Sequence, residues 1–185
     1  MQRPSRPLPA ARDYNVAAPG GLPLLALWLP LLGVAGAIVA VILADSGPAH
    51  AAHWIGPCVL AATGAVMHAL YLRRGIRLQG SALRIRSSMF NARTEIASID
   101  LAHARVVDLA EHTELAPGRK LFGYGLPGFK SGHFRMRNGQ RAFCLLTDAS
   151  RVLALPLRDG RWLLLSPEQP RQLLQDLQRL AARSA

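Results

Sequence analysis

Residues 122–146 read FGYGLPGFKSGHFRMRNGQRAFCLL, and two folds compete for them. Gly123, Gly125 and Gly128 are spaced G-x-G-x-x-G, a pattern that cradles phosphates when it joins a strand to a helix, because loop amides and the helix N-terminus then hold the anion together. The flanks do not supply that setting. Thr113–Lys120 (TELAPGRK) is loop-like, and Pro127 and Gly128 oppose a helix where one should begin. No strand-helix-strand unit and no G-x-x-x-x-G-K-[ST] occurs elsewhere, so a nucleotide is excluded and no cofactor is expected. The residues that follow alternate instead. Phe134 and Met136 interleave with His133, Arg135 and Arg137, and Asn138-Gly139 is a strong hairpin turn into Arg141–Leu146. Gly123, Gly125, Pro127 and Gly128 therefore read as a structural loop, with a tight turn at Leu126-Pro127-Gly128 and with Phe122, Tyr124 and Phe129 as its anchors.

The same period of two runs outward from this hairpin. It predicts strands at 81–86, 92–96, 103–109, 152–155 and 161–165, separated by turns that include Asp159-Gly160. Asp148, Ser150 and Asp159 fall at such turns, where short polar side chains satisfy the backbone. Leu173, Leu174, Leu177 and Leu180 then recur at helical spacing after Ser166, Pro167 and Gln169, a capping signature. The expectation is seven or eight antiparallel strands closed by one amphipathic helix, a strongly bent sheet or partial barrel.

The first 72 residues differ in kind. Leu22–Leu43 and His53–Leu72 are apolar runs of 22 and 20 residues without Asp, Glu, Lys or Arg. As helices they would cover about 30 Å each, the thickness of a bilayer's hydrocarbon core. The first run is too long for the core of a secretory leader, and a second follows closely. Arg3, Arg6 and Arg12 precede the pair and Arg73, Arg74 and Arg77 follow it, whereas residues 44–52 between the runs carry Asp45 and no basic residue. The positive-inside rule puts both termini in the cytoplasm. The predicted organisation is a poorly ordered tail (1–21), a transmembrane hairpin (22–72, with spans at about 22–43 and 53–72) and a cytoplasmic domain (73–185). Gly36, Ala40 and Ala44, and Ala61, Ala65 and Ala69, lie at a spacing that lets helices approach closely, within the hairpin or between copies. His68 is the ionisable residue deep in a run, either functional or near enough to Arg73 to reach interfacial water.

Residues 121–159, LFGYGLPGFKSGHFRMRNGQRAFCLLTDASRVLALPLRD, with Trp162–Pro167 and the closing helix, resemble the bacterial pleckstrin-homology (PH) domain family. The resemblance is specific over Leu121–Leu180 and weaker over Arg77–Leu109. It implies an α+β fold, a PH-like antiparallel β-barrel with a C-terminal helix, here behind a two-helix transmembrane hairpin. Eukaryotic PH relatives often bind phosphoinositides through basic residues near the first hairpin; that motif has no residue-by-residue match here.

Charge points to a partner. The cytoplasmic part holds nineteen basic and nine acidic residues, a net charge of +10, and only two of the chain's 22 basic residues are Lys. An anionic inner leaflet fits such a tethered domain. The charges are dispersed, not gathered into an arm, so nucleic acid is not expected. Arg84, Arg86, Arg135 and Arg137 lie on the solvent side of their strands and would form an anionic-headgroup site if the strands are close; otherwise they are solvated surface. His50, His53 and His112 lack a convincing third metal ligand, Cys58 and Cys144 are too far apart to pair, and no catalytic group stands out. The sequence thus reads as a non-enzymatic binding or scaffolding module of the bacterial inner membrane, or as an accessory subunit whose hairpin docks onto a larger complex or onto its own copies.

Overall fold

The computed structural model describes residues 11–44 and 54–184. Two long helices, α1 (Leu22–Ala44) and α2 (Ile55–Leu72), occupy the apolar runs, and both meet the test of length and hydropathy for a membrane span. Their surfaces are almost wholly exposed apolar side chains, a solvent-incompatible face that a bilayer would cover. Gly64 makes room for the contact between them: a Cβ there would lie 3.0 Å from the Trp28 ring and 3.2 Å from Leu31. The Trp28 indole N–H donates to His68 Nδ1 at 3.4 Å, so His68 belongs to the helix–helix contact. Gly36, Ala40, Ala61, Ala65 and Ala69 are exposed.

Among the described residues ten strands form two sheets. β2 (Arg74–Gln79), β3 (Ala82–Ser87) and β4 (Phe90–Glu95) make an antiparallel meander, edged by β1 (Arg12–Tyr14) on β2. The second sheet has the order β5-β9-β10-β8-β7-β6, from β5 (Arg105–Val107), β6 (Pro117–Leu126), β7 (Phe129–Met136), β8 (Arg141–Leu146), β9 (Val152–Pro156) and β10 (Trp162–Leu165). Helix α3 (Pro170–Ser184) buries Leu173 and Leu177 completely in the core between the sheets, beside Leu83, Ile85, Leu145, Leu155 and Leu165. A second cluster, with Phe134, Cys144 and Leu164, fills the other face of the larger sheet, beneath Val107, Leu109 and Leu115. Strands β8 to β10 are therefore covered on both sides, and burial pushes the Cys144 thiol pKa up.

The expected antiparallel barrel is corrected on two points. The sheets remain separate and open, with β1, β4, β5 and β6 as edges, because no ladder joins β4 to β7 where they touch. Nor is the larger sheet wholly antiparallel. The chain leaves β8, skips one strand position to form β9, and returns as β10 into the gap, so β10 runs antiparallel to β9 and parallel to β8. Periodicity finds the strands but does not order them.

Three strands lie where alternation was not read. β1 falls in the expected tail: Tyr14 donates its hydroxyl to Asp176 at 2.6 Å, Arg12 pairs with the same carboxylate, and Ala17 N–H bonds Ser166 O at 2.9 Å. The folded domain thus includes residues 12–17 as well as those after α2, which corrects the 1–21 tail. β2 follows α2 almost without a linker. β6 takes in Gly123 and Gly125, leaving only Pro127 and Gly128 as the turn. Helix α3 starts at Pro170 and not at Pro167, because Ser166 donates its hydroxyl to Asp148 O at 2.7 Å and Pro167 bridges to Val16.

Candidate anion-binding faces

The four-stranded sheet turns one side to the core and the other outward. Ile76, Leu83 and Ile85 are at most 1 % exposed, so the pleat sends their neighbours Arg77, Arg84, Arg86 and Arg93 to the opposite face. Register aligns them: Arg77, Arg84 and Arg93 stand directly opposite one another across β2, β3 and β4, and Arg86 lies between Gly75 and Asn91. Like charges placed this way repel. Asp13 offsets one of them, accepting two hydrogen bonds from Arg77, one at 2.9 Å; the contact lowers the Asp13 pKa and raises that of Arg77. Glu95 takes Arg93 at 3.2 Å. Arg84 and Arg86 have no hydrogen-bond or ion-pair partner among the described residues, which leaves two free guanidinium groups at the centre of the face. With Arg73, Arg74 and the strand backbones they line an open depression of about 1140 Å³, in which Asp13 and Glu168 are the acidic members.

This face begins where the helices end. α2 stops at Leu72 and β2 starts at Arg74, and the intervening Arg73 carbonyl accepts the Ser88 N–H at 2.7 Å, which brings the β3–β4 turn alongside. Tyr71, 2 % exposed, packs edge-on against Phe129 with centroids 5.1 Å apart, and the Arg74 guanidinium sits 5.2 Å over its ring. The β6–β7 turn touches the start of α1, where a Cβ on Gly128 would lie 3.6 Å from Pro23. A buried pair, Ser87 and Ser131, hydrogen-bonded at 2.8 Å, ties the two sheets together just above this joint.

Arg135 and Arg137 stand elsewhere. Arg135 lies on β7 in the larger sheet, in register with Arg119 on β6 and Arg141 on β8. Its side of β7 is that of His133, which stacks edge-on against the core residue Phe143 at 5.2 Å. Arg84 and Arg86 point away from that core. The four arginines thus form two sets, one on each sheet, and not one site. Alternation gave each pair's solvent side but not the sheet it joins; Arg77 and Arg93, which complete the first set, were legible in the alternation of RGIRLQ and NARTE, whereas Arg74 shares the parity of the core residues Ile76 and Leu78 and turns back over Tyr71.

Gly123, Gly128 and Gly132 stand where a side chain would strain the backbone, and Gly125 does not. Gly123 and Gly132 face each other across β6 and β7 so closely that a Cβ on Gly132, at φ +110°, would come within 2.7 Å of the Gly123 Cα. Gly128 takes φ +75° at the third position of the Pro127 turn, a type II signature. Asp148 and Asp159 cap turns as expected, accepting from Ser150 N–H at 2.9 Å and Arg161 N–H at 3.0 Å. His112 pairs with Glu114 at 3.3 Å, and among the described residues no three His, Cys, Asp or Glu side chains gather to hold a metal; His50 and His53 lie outside them.

A model of the bacterial PH domain matches residues 74–181, more than half of the chain. The chain belongs to the bacterial PH domain family. Its PH domain begins at β2 and runs through α3, so β1 is an additional strand that the residues before α1 contribute to it. PH folds are in general non-catalytic. Neither the curated proteins nor the solved structures contain a match.

Proposed function

We propose that the protein is a two-pass anchor in the bacterial inner membrane, both ends cytoplasmic, that holds its PH domain against the bilayer and engages anionic headgroups through Arg84 and Arg86. The observation that carries this reading is the one-residue joint between α2 and β2. Gly75, opposite Arg86, lies three residues beyond the helix end, at most about 10 Å away along an extended chain. The headgroup layer is about 5–8 Å deep on each side, so Arg86 stands at its edge and Arg84 about 7 Å farther out, within a physiological Debye length of about 8 Å. Arginine suits the task because its planar fork pairs with phosphate oxygens. A rigid seat of Tyr71 on Phe129 keeps the face from swinging away. The module acts by binding and scaffolding, without chemistry of its own.

The test uses the full chain in nanodiscs of phosphatidylcholine alone or with about one third phosphatidylglycerol, reading the domain's thermal midpoint. Each guanidinium near an anionic surface contributes about 1 kcal/mol. Arg84→Gln with Arg86→Gln should remove most of the stabilisation that phosphatidylglycerol gives, and Arg119→Gln with Arg137→Gln, an equal change in charge, should leave it. Equal losses from the two pairs would reduce the effect to net charge.

A second reading, an accessory subunit docked through its hairpin, draws on Ala61, Ala65 and Ala69, which the α1–α2 contact leaves exposed. Ala65→Leu should then strip a co-purifying protein, or a second copy, from the chain in mild detergent.

A further inference from the structure

The second arginine set borders a different surface. Between β4 and the larger sheet opens a cleft of about 490 Å³, lined by Arg93, His133, Arg141 and Arg161 over Phe143 and Leu163, with no acidic residue in its lining. Arg161 is paired with Asp159 at 2.6 Å and Arg93 with Glu95 at 3.2 Å, both from outside the cleft. Arg141 has no partner among the described residues, and neither have Arg135 and Arg119, which extend the row across β7 and β6. Three arginines in direct register repel one another. Among the described residues no acid offsets this row, as Asp13 does on the other sheet.

We propose that this cleft and the Arg119–Arg135–Arg141 row dock an acidic segment of another protein, one that carries apolar side chains between its carboxylates. Charge complementarity selects the acid, and the cleft's exposed apolar edge selects the apolar residues. Leu121 at the cleft's edge is 44 % exposed, and Trp162 is half-buried with its indole held by Gln140 at 2.8 Å. An apolar edge beside unpaired arginines suits a protein interface, where Arg is enriched. A single-stranded nucleic acid would want open aromatic faces to stack on, and the aromatic floor residue Phe143 is only 5 % exposed. The bilayer is the less suitable occupant: Arg135 lies six residues along β7 from Phe129, the residue seated on α2, or about 20 Å of strand. That is more than two physiological Debye lengths. The two faces of the domain would then be divided, one for lipid beside the helices and one for protein at the far end.

The test again uses the full chain, in nanodiscs of phosphatidylcholine. The probe is a fluorescein-labelled ten-residue peptide of alternating Glu and Leu. Its controls are the same peptide with Gln for Glu, the same with Ser for Leu, and an oligothymidine of equal charge. The Glu/Leu peptide should saturate and bind at least about tenfold more tightly than any control. Arg135→Gln with Arg141→Gln should weaken it about tenfold or more, and Arg84→Gln with Arg86→Gln less than twofold. Because these four side chains are exposed, no variant should melt below the parent's midpoint. Failure to saturate, equal binding of the Glu/Ser peptide, tighter binding of the oligonucleotide, or equal losses from the two arginine pairs would each overturn the proposal. None of those results bears on the phosphatidylglycerol comparison above, which reads Arg84 and Arg86, although the two surfaces meet at Arg93.

Discussion

Substituting Gly132 by alanine tests the account of the glycine-rich stretch at its tightest point. The added methyl would meet two obstacles in the unmoved backbone, the Gly123 Cα and the Phe122 carbonyl, both at 2.7 Å, and a third in the Phe90 ring at 3.1 Å. Backbone atoms of a paired strand cannot step aside without opening the β6–β7 ladder. The residue also sits at φ +110°, outside the region an L side chain adopts, a strain of about 1–3 kcal/mol before any clash is counted. Overpacking adds about 1–3 kcal/mol. The sum, about 2–6 kcal/mol, should lower the domain's midpoint by about 8 °C or more, at about 4 °C per kcal/mol for a domain of this size. Gly123→Ala keeps an ordinary φ but drives its methyl to 2.5 Å from the Ser131 carbonyl, so its loss should be smaller yet clear. Gly128→Ala pays only for φ +75°, about 1–2 kcal/mol. Gly125→Ala has open space, its nearest neighbour being a Phe134 carbon at 3.9 Å, and should change the midpoint by no more than about 2 °C. Melting of the four variants in neutral nanodiscs, with and without ATP or NAD, gives the ranking. Gly125→Ala proving as damaging as Gly132→Ala would refute the close-approach argument, and a nucleotide-induced rise lost in these variants would return the stretch to phosphate binding.

Asp176→Asn should release β1, because the carboxylate holds Tyr14 and Arg12 together; losing charge-assisted hydrogen bonds of about 1.5–3 kcal/mol should lower the midpoint and expose residues 12–17 to protease. The Asp176 pKa lies below the usual carboxylate range, chiefly because the Tyr14 hydroxyl donates to it, so its contribution is present above about pH 4 and fades as pH falls through the depressed value. The gap between parent and Asp176→Asn midpoints should accordingly narrow on acidification below pH 4. Burial and the same contact raise the Tyr14 pKa to about 12, so at the other extreme the clamp weakens as pH rises from about 10 towards 12. Tyr124→Phe should leave stability unchanged or raise it by up to about 1 kcal/mol, since the Tyr124 hydroxyl is buried without a hydrogen-bond partner; a fall of several degrees would show a hidden partner.

Where one face of a strand is wet, the sequence spells it out, and SALRIR and GHFRMR fall in β3 and β7 within a few residues of their observed bounds; RAFCLL, buried on both faces, is fixed as β8 by the Asn138-Gly139 turn before it. β6 was hidden because its glycines, read as conformational freedom, are used for closeness: Gly123 meets Gly132 from a distant part of the chain, and only tertiary structure brings the two together. β1 has three residues, too few for any period, and exists because β2 offers it an edge and Asp176 a clamp. The arginines show the same division. Alternation establishes that Arg84, Arg86 and Arg135 face solvent, yet a shared outward direction in sequence is not a shared surface in space. Sheet membership separates them, and with it one expected site becomes two.

β1 also bears on how the helices are used. Residues before α1 and residues after α2 hydrogen-bond in one sheet, Asp13 opposite Arg77 and Tyr14 opposite Ile76, so both flanks of the helical pair lie on the same side of whatever the pair crosses. A single crossing would part the two strands, and removal of the first apolar run with the residues before it would carry off the edge strand and its contacts with α3. The arginine bias about the two runs leads to the same arrangement from an independent direction, by the energetics of membrane insertion. With both flanks tied into one sheet and Tyr71 packed on Phe129, a tilt or separation of α1 and α2 would act directly on the β1–β2 ladder and on the arginines beside it. On the function proposed above, the helical pair would then do more than tether the domain: it would set the distance at which Arg84 and Arg86 meet the surface.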